Sequence, residues 1–478
     1  MKNKKLYILA ILAIAFASCN KELDEVNINP NAPEIPSPDY LLTGAIKNTS
    51  DTYWGTTNNL NSSLLFVQHW AKVQYTEEDR FIYSNSSFTA LWATGYAQSI
   101  AGLNKVIELG DAQANPNYKG VALVLRSWVF LLLTDAYGDI PYTQAGKIKQ
   151  FVTPVYDKQR DVYFNILNDL KSAQSVLNAT SGAPKISGDI LYGGNITHWK
   201  EFANSLRLRI ALRIADKEPA KSKAVIDEIN AEGGSYINSN VFNAKLVYQA
   251  SPQQNPVAAS FETRNDYRIS KTIVDKLIGL NDPRLPVYAS KTENAPQGYV
   301  GIPNGSTNSE ASAIGLANSS KPGAYFLNPL APAVIISYAE VLFDRAEAAA
   351  RGFTSENAAD LYKQAIIASF NQYGITGSPV DAYLNQAAVQ YDAGNYKKSI
   401  GEQKWIALFG QGLEAWAEQR RLDYPQLTAS VNTVLNGKIP VRFIYPGTEQ
   451  SLNGQNYKNA VSNQGPDLLT TKLWFDAF

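Results

Sequence analysis

The sequence predicts an all-α protein of helical hairpins around an irregular, loop-rich lobe, and three observations carry that prediction. Apolar residues recur at helical spacing through 118–137, 157–177 and 199–216, each long enough for several turns. The stretch 337–373 reads as two short helices joined at Gly352-Phe353. Between these blocks, residues 233–334 turn rich in Gly, Ser, Asn and Pro, and only Ser270 to Leu280 reads clearly as helix. The chain has 478 residues, 45% of them hydrophobic, enough for a large core and two to three lobes at about 150 residues each. Its 43 basic residues balance 43 acidic ones, so no basic footprint points to nucleic acid.

Taken in order, the chain opens with Lys2, Lys4 and Lys5, an apolar run from Leu6 to Phe16, then Ala17, Ser18 and Cys19, the one cysteine. A charged start, a short apolar core and small residues make a signal peptide over 1–18, too short to span a bilayer as a helix. The cysteine at that point looks like a bacterial lipoprotein cleavage site, with Cys19 acylated and a tether and extended strap over 19–39. The short acidic run Asn20 to Glu25 resembles the surface-export signal of Bacteroidetes lipoproteins, or serves as a plain solvated linker. Pro30, Pro33, Pro36 and Pro38 exclude helix through the strap, and Tyr40 to Asn48 opens the first one.

An N-terminal helical region follows over 40–232. Trp92, Tyr96, Ile100, Leu103 and Ile107 recur at helical spacing and read as core. The helix ending at Tyr137 is stopped by Gly138 and Pro141 in the turn Tyr137 to Tyr142. Arg209 and Arg213, four apart on the helix 199–216, suit pairing with carboxylates or cover for a neighbour better than an anion site. After the loop-rich lobe, a C-terminal helical region over 335–478 completes the core. In it, Tyr338, Leu342, Ala346, Ala349 and Phe353 form a buried seam, and Glu340, Asp344, Glu347 and Arg351 a solvated face. Gly352 suits a left-handed helix stop, and Thr354 or Ser355 with Glu356 a capped start. Leu342, Ala346, Ala358, Tyr362 and Ala365 match the large and small positions of a tetratricopeptide unit, with Arg345 and Phe370 departing from it. Tyr396 to Trp416 resumes helix, broken around Gly410 and Gly412, and 438–447 is a strap before a polar tail.

Candidate ligand-binding residues are aromatics set in polar, loop-like sequence: Tyr53, Trp54, Trp70, Tyr75 and Tyr83 in the first region, Tyr299 and Tyr325 in the lobe. Such rings can stack on sugar faces while Asn, Asp and Arg take the hydroxyls, or they can plug gaps between helices. Catalytic machinery is not legible. A glycoside hydrolase needs two carboxylates flanking its bond, and Glu77, Glu78 and Asp79 are adjacent acids in a polar loop. His69 and His198, the two histidines, show no metal-ligand spacing, and no nucleophile elbow or phosphate-cradling loop occurs. The expectation is a binding protein with no catalytic residue, metal site or cofactor.

Several phrases together resemble the SusD/RagB family of outer-membrane nutrient-binding lipoproteins, in its SusD-like branch named for starch binding. They are Asn27 to Pro33, Tyr137 to Tyr142, His198 to Arg213, Asp282 to Pro286, Tyr338 to Gly352, Gln403 to Arg421 and Ile439 to Pro446, in family order over nearly the whole chain. The resemblance implies a tetratricopeptide-like helical core with an irregular lobe. It also implies an oligosaccharide or peptide as ligand, and as partner a TonB-dependent transporter barrel of the SusC type, with the lipoprotein seated over it as a lid. It carries no binding residue across, and the loops at 50–90 and 290–330 are the expected location of an aromatic binding arc.

Overall fold

The computed structural model describes residues 36–294, 298–429 and 432–477. The signal peptide, Cys19 and all but the end of the strap lie outside them.

The architecture is helical, with strands of only three or four residues. Helix α1 (Pro38–Trp54) starts on Pro38, whose missing N–H falls among the first-turn donors that have no partner in any helix. α2 (Ala101–Ala112) leads to α3 (Pro116–Tyr137), capped by the Asn115 side chain and ended at Gly138, whose φ is +88°. α3 is long and apolar enough to cross a membrane, yet 94% of its most apolar window is buried inside the protein. It is the central core helix, with α2 and α4 (Gln159–Val176) against its flanks. α5 (Ile196–Arg213) and α6 (Pro219–Ala231) continue the layer.

The expected hairpin follows the lobe as α7 (Tyr338–Ala350) and α8 (Ala358–Asn371). Gly352 adopts φ +70°, the left-handed stop that the sequence predicts. The second helix is capped one residue later than Glu356: the Asn357 side chain accepts from Ala359 and Asp360 N–H. The break at Gly410 separates α9 (Tyr396–Ala407) from α10 (Gly412–Leu422). Gly410 has φ +89°, and a Cβ there would lie 2.9 Å from Phe326 and 3.1 Å from Trp54. Two short antiparallel pairs occur, one tying the loop-rich stretch to the first region and one pairing its beginning with its end. β1 (Trp70–Lys72) pairs with β3 (Tyr267–Ile269), and β2 (Ala244–Leu246) with β4 (Ala333–Ile336). One hydrophobic cluster runs from Leu42 to Phe475.

One sequence expectation fails here and its failure explains the packing. Glu340, Asp344 and Glu347 do not face solvent; they are 1%, 1% and 0% exposed. The polar side of α7 meets α5, α9 and α10, which supply the opposite charges. Arg209 pairs with Glu340 at 2.6 Å and donates to Ile335 O at 2.9 Å. Arg213 reaches Glu414 at 2.6 Å, Glu418 at 2.7 Å and Asp135 of α3 at 3.3 Å. Lys404 bridges Asp344 and Glu418. Arg421 binds Glu347 with both terminal nitrogens, at 2.6 and 2.7 Å, and Glu418 at 2.6 Å. Burial alone would raise the Glu418 carboxyl, but Arg421, Lys404 and Arg213 hold it well below the ordinary range. Burial wins for Glu340 and Asp344, which are raised despite Arg209 and Lys404. Each of these two keeps one oxygen without a hydrogen-bond partner among the described residues.

Two outcomes are expected. Arg421→Met leaves buried Glu347 with Arg351 alone and takes one of three cations from Glu418, and should cost about 3–5 kcal/mol in guanidinium unfolding; an unchanged midpoint would show the network idle. A raised folded-state carboxyl destabilises increasingly as pH climbs above its unfolded value, because the unfolded chain releases the proton first. The Tm difference between wild type and Glu340→Gln should therefore shift in the variant's favour from about pH 5 to about pH 9, and a pH-independent difference would contradict this reading.

Candidate functional site

The fold brings the two expected loop regions together. β1 ends at Lys72, and the chain then turns through Gln74 to Tyr83 beside the segment 300–316. Under the junction lies a small apolar cluster of Ala71, Val73, Ile302 and Ala311. Above it, Thr76 N–H donates to Asn308 Oδ1 at 3.1 Å and the Asn308 amide donates to Glu77 at 3.2 Å. Asp79 is buried between the segments, where it accepts from Lys72 N–H at 3.1 Å and the Asn304 amide at 2.8 Å. Burial pushes its carboxyl up to about 6, although these donors pull the other way.

Tyr75 stands on the crest of this junction. Its ring is 65% exposed and its backbone holds φ +51°, which a bulky residue adopts only where its surroundings fix it. Arg264, in the link that leads into β3, sets its guanidinium 5.9 Å from the ring centre. Arg264 is held in turn by Asp266, through hydrogen bonds of 3.0 and 2.8 Å. Asp266 also accepts from the wholly buried Lys72 at 2.9 Å, and its carboxyl is lowered because those bonds outweigh burial. The result is an open face with one exposed ring, a cation beside it, exposed amides from Gln74, Asn265 and Asn308, and the half-buried acid Glu77. It can stack a flat apolar surface and hydrogen-bond groups at its edge.

The other aromatic candidates fall elsewhere. Tyr53, Trp54 and Trp70 are 1%, 4% and 1% exposed, and so are core and not platforms. Tyr53 packs edge-on against Trp128 at 5.7 Å, the Trp54 indole donates to Val334 O at 3.0 Å, and Trp70 lies against Phe261 and Tyr267. Tyr83 is half-buried and its hydroxyl is fixed on Asn61 and Glu78 carbonyls at 2.7 and 2.9 Å. Tyr299 and Tyr325 are also half-buried against the core, Tyr325 edge-on to Tyr373 at 5.0 Å. Arg264, Lys72 and Asp266, which set the ring, were not legible as site residues: a charge in a loop gives no sign of what it will meet.

Among the described residues, the acids named by the sequence are engaged elsewhere. Asp79 is spent on stitching the loops, Glu77 accepts from Asn308, and Glu340, Asp344 and Glu347 are bound into the core network. Among the described residues, no group of three His, Cys, Asp or Glu is placed to hold a metal ion.

A family model described as starch-binding associating with outer membrane, the SusD-like family, matches residues 30–446. Solved structures agree. A chitin-binding protein is 32% identical, with a TM-score of 0.83 over 92% of this chain and 100% of that one. A SusD homolog from Bacteroides uniformis is 29% identical, with a TM-score of 0.82 over 92% of this chain and 100% of that one. A chitin-binding SusD homolog from Flavobacterium johnsoniae, 24% identical, shares the fold, with a TM-score of 0.82 over 92% of this chain and 98% of that one. No curated protein matches the sequence. With most of its length matched, the chain belongs to the SusD-like family of starch-binding proteins that associate with the outer membrane.

Proposed function

We propose that this protein is a lipid-anchored, surface-exposed receptor that holds an oligosaccharide on the Tyr75 face and passes it, uncleaved, to a TonB-dependent transporter of the SusC type. The observation that carries the reading is the Tyr75–Arg264–Asp266–Lys72 chain, which fixes an exposed ring at the junction of two loop regions. The ring's cation, Arg264, is itself partly exposed but tied to the buried Asp266–Lys72 pair, so the face loses less freedom on binding than an untethered ring and cation would. The 32% identity to a chitin-binding protein supports a glycan as ligand, and makes chitin-derived oligosaccharides the first to try. Membership of a family associated with the outer membrane supports the anchor expected at Cys19.

Calorimetric titration of a soluble form starting at Asn20 against chitin-, starch-, xylan- and mannan-derived oligosaccharides, and against a mixed peptide pool, tests it. Heat from a glycan is expected; silence on every sugar with heat from peptides would overturn the glycan reading. Tyr75→Ala should then weaken binding by about 1–3 kcal/mol, as for other stacked rings, and Arg264→Ala by less. Full affinity in a folded Tyr75→Ala would remove this face from the site. Trp70→Ala serves as the contrast. It should lower stability by about 3–5 kcal/mol through the cavity left beside Phe261 and Tyr267, and a variant that loses sugar without losing stability would put Trp70 back among the ligand contacts.

A further inference from the structure

The fold leaves polar chemistry uncommitted at a second place, beyond the opposite end of the β1–β3 ladder from Tyr75. Two hollows of about 350 and 460 Å³ adjoin there. Both are lined by Asn395 and Tyr424, so Tyr424 stands where they meet. Asp423 lines the first hollow, and Lys398, Gln426 and Trp405 line the second.

The frame around the aromatic is fixed. α10 ends at Leu422, Asp423 takes φ +57°, and the chain turns back against α9. It lies that close because residue 401 is glycine: a Cβ there would come within 2.7 Å of the Tyr424 Cβ and 3.1 Å of the Tyr424 carbonyl oxygen. The walls of the second hollow are tied to one another. The Thr272 hydroxyl donates to Gln68 Oε1 at 2.5 Å, and the Gln68 amide donates to Thr428 O at 2.7 Å. Lys276 reaches across to Glu402 of α9 at 2.6 Å. Trp405, almost wholly buried, is held by its indole N–H on Val67 O at 2.9 Å.

Within that frame the functional groups are free. Tyr424 is half-buried, and Asp423, Lys398 and Gln426 are exposed. Among the described residues, the Tyr424 hydroxyl, the Asp423 carboxylate, the Lys398 ammonium and the Gln426 side-chain amide form no hydrogen bond or ion pair. One exposed polar group without a partner is ordinary, but donors and acceptors gathered on hollows beside a positioned aromatic make the inventory of a small-molecule site. We propose that the hollows at Tyr424 are a second glycan site, separate from the Tyr75 face, in which a sugar ring stacks on Tyr424 while its hydroxyls donate to Asp423 and accept from Lys398 and Gln426. The free charges are of opposite sign, which suits a neutral polyol. A phosphate or uronate drawn to Lys398 would meet Asp423, and one free carboxylate is too few ligands for a calcium ion. The inference deepens the glycan reading and rests on it, adding a second point of attachment to the same receptor.

The test is calorimetry of the full-length chain, in a detergent without a sugar head group, against chitin-, starch-, xylan- and mannan-derived trisaccharides. Wild type should bind two sugars per chain, Tyr75→Ala and Tyr424→Ala one each, and the double variant none. In the Tyr75→Ala background, Tyr424→Ala should weaken the remaining site at least about tenfold, by analogy with other stacked rings. Lys398→Ala and Asp423→Asn, the latter keeping a residue suited to φ +57°, should each weaken it about threefold or more. Thermal melting of Tyr424→Ala should match wild type, separating a lost contact from a lost fold. A fluorinated tyrosine at position 424 supplies the second arm: its resonance should move on adding the sugar, in Tyr75→Ala as in wild type. Wild-type stoichiometry and affinity in Tyr424→Ala, or a fluorine resonance unmoved at saturation, overturns the second site while the Tyr75 face stands. Binding lost in Tyr424→Ala but kept in Tyr75→Ala supports the site and removes the Tyr75 face instead. A wild type silent toward every glycan overturns the glycan reading and this site with it, and a resonance moved only by a peptide pool overturns the glycan assignment of the hollows.

Discussion

The interaction on which the rest depends is the buried charge lattice where α3, α5, α7, α9 and α10 meet. Four cations, Arg209, Arg213, Lys404 and Arg421, face six carboxylates there, Asp135, Glu340, Asp344, Glu347, Glu414 and Glu418. Taking such groups out of water is expensive, and their mutual attraction repays it only when nearly every lone pair and proton is met. The surplus of carboxylates is accommodated by raising Glu340 and Asp344 toward their neutral form. What the lattice contributes is register. An apolar interface tolerates sliding by a fraction of a turn, whereas Arg421 can span Glu347 and Glu418 in one arrangement of the helices only. Helices from distant parts of the chain are thereby set at fixed positions relative to one another.

That fixed frame reaches the ligand face through a short chain of contacts. The break between α9 and α10 is clasped by Asn59, whose amide donates to Gly410 O at 3.0 Å and whose oxygen accepts from Gly412 N–H at 2.9 Å. Asn59 belongs to the π-helical turn Thr56–Ser63, which runs through a short helical turn into β1. β1 carries Lys72 to the base of the Tyr75 junction, where Asp266 and Arg264 take over. A wide helical turn is uncommon and is often found where function sets the geometry.

The sequence was most legible where period alone decides structure. Helices around 118–137, 157–177 and 199–216 were found to within a few residues, and the all-α class with its loop-rich lobe followed from them. It misled where the meaning of a polar residue depends on a distant partner. A helix wheel divides α7 correctly into two faces, but cannot say that the acidic one meets arginines from α5 and α10 instead of water. The same limit misplaced Tyr53, Trp54 and Trp70. The polar run at 56–63 between them looked like an exposed loop, whereas Asn58, Asn59, Ser62 and Ser63 are buried and bonded to backbone. The two loop regions expected to form the binding arc do meet, yet the exposed ring among those candidates is Tyr75, fixed by residues with no local signature.

α3 has a consequence before folding begins. A member of an outer-membrane family must be threaded unfolded through the inner membrane, and a 22-residue segment of this hydropathy is the kind a translocation channel can release sideways into lipid. Arg126 near its middle adds roughly 2.5–3.5 kcal/mol against such release, and Asp135 near its end adds less. Both later find partners, Arg126 in Asp169 and Asn104, Asp135 in Arg213 and Tyr163. Asp135, a member of the buried lattice, and Arg126, in a partly exposed pair beside it, thus also disfavour lateral release of the segment before folding.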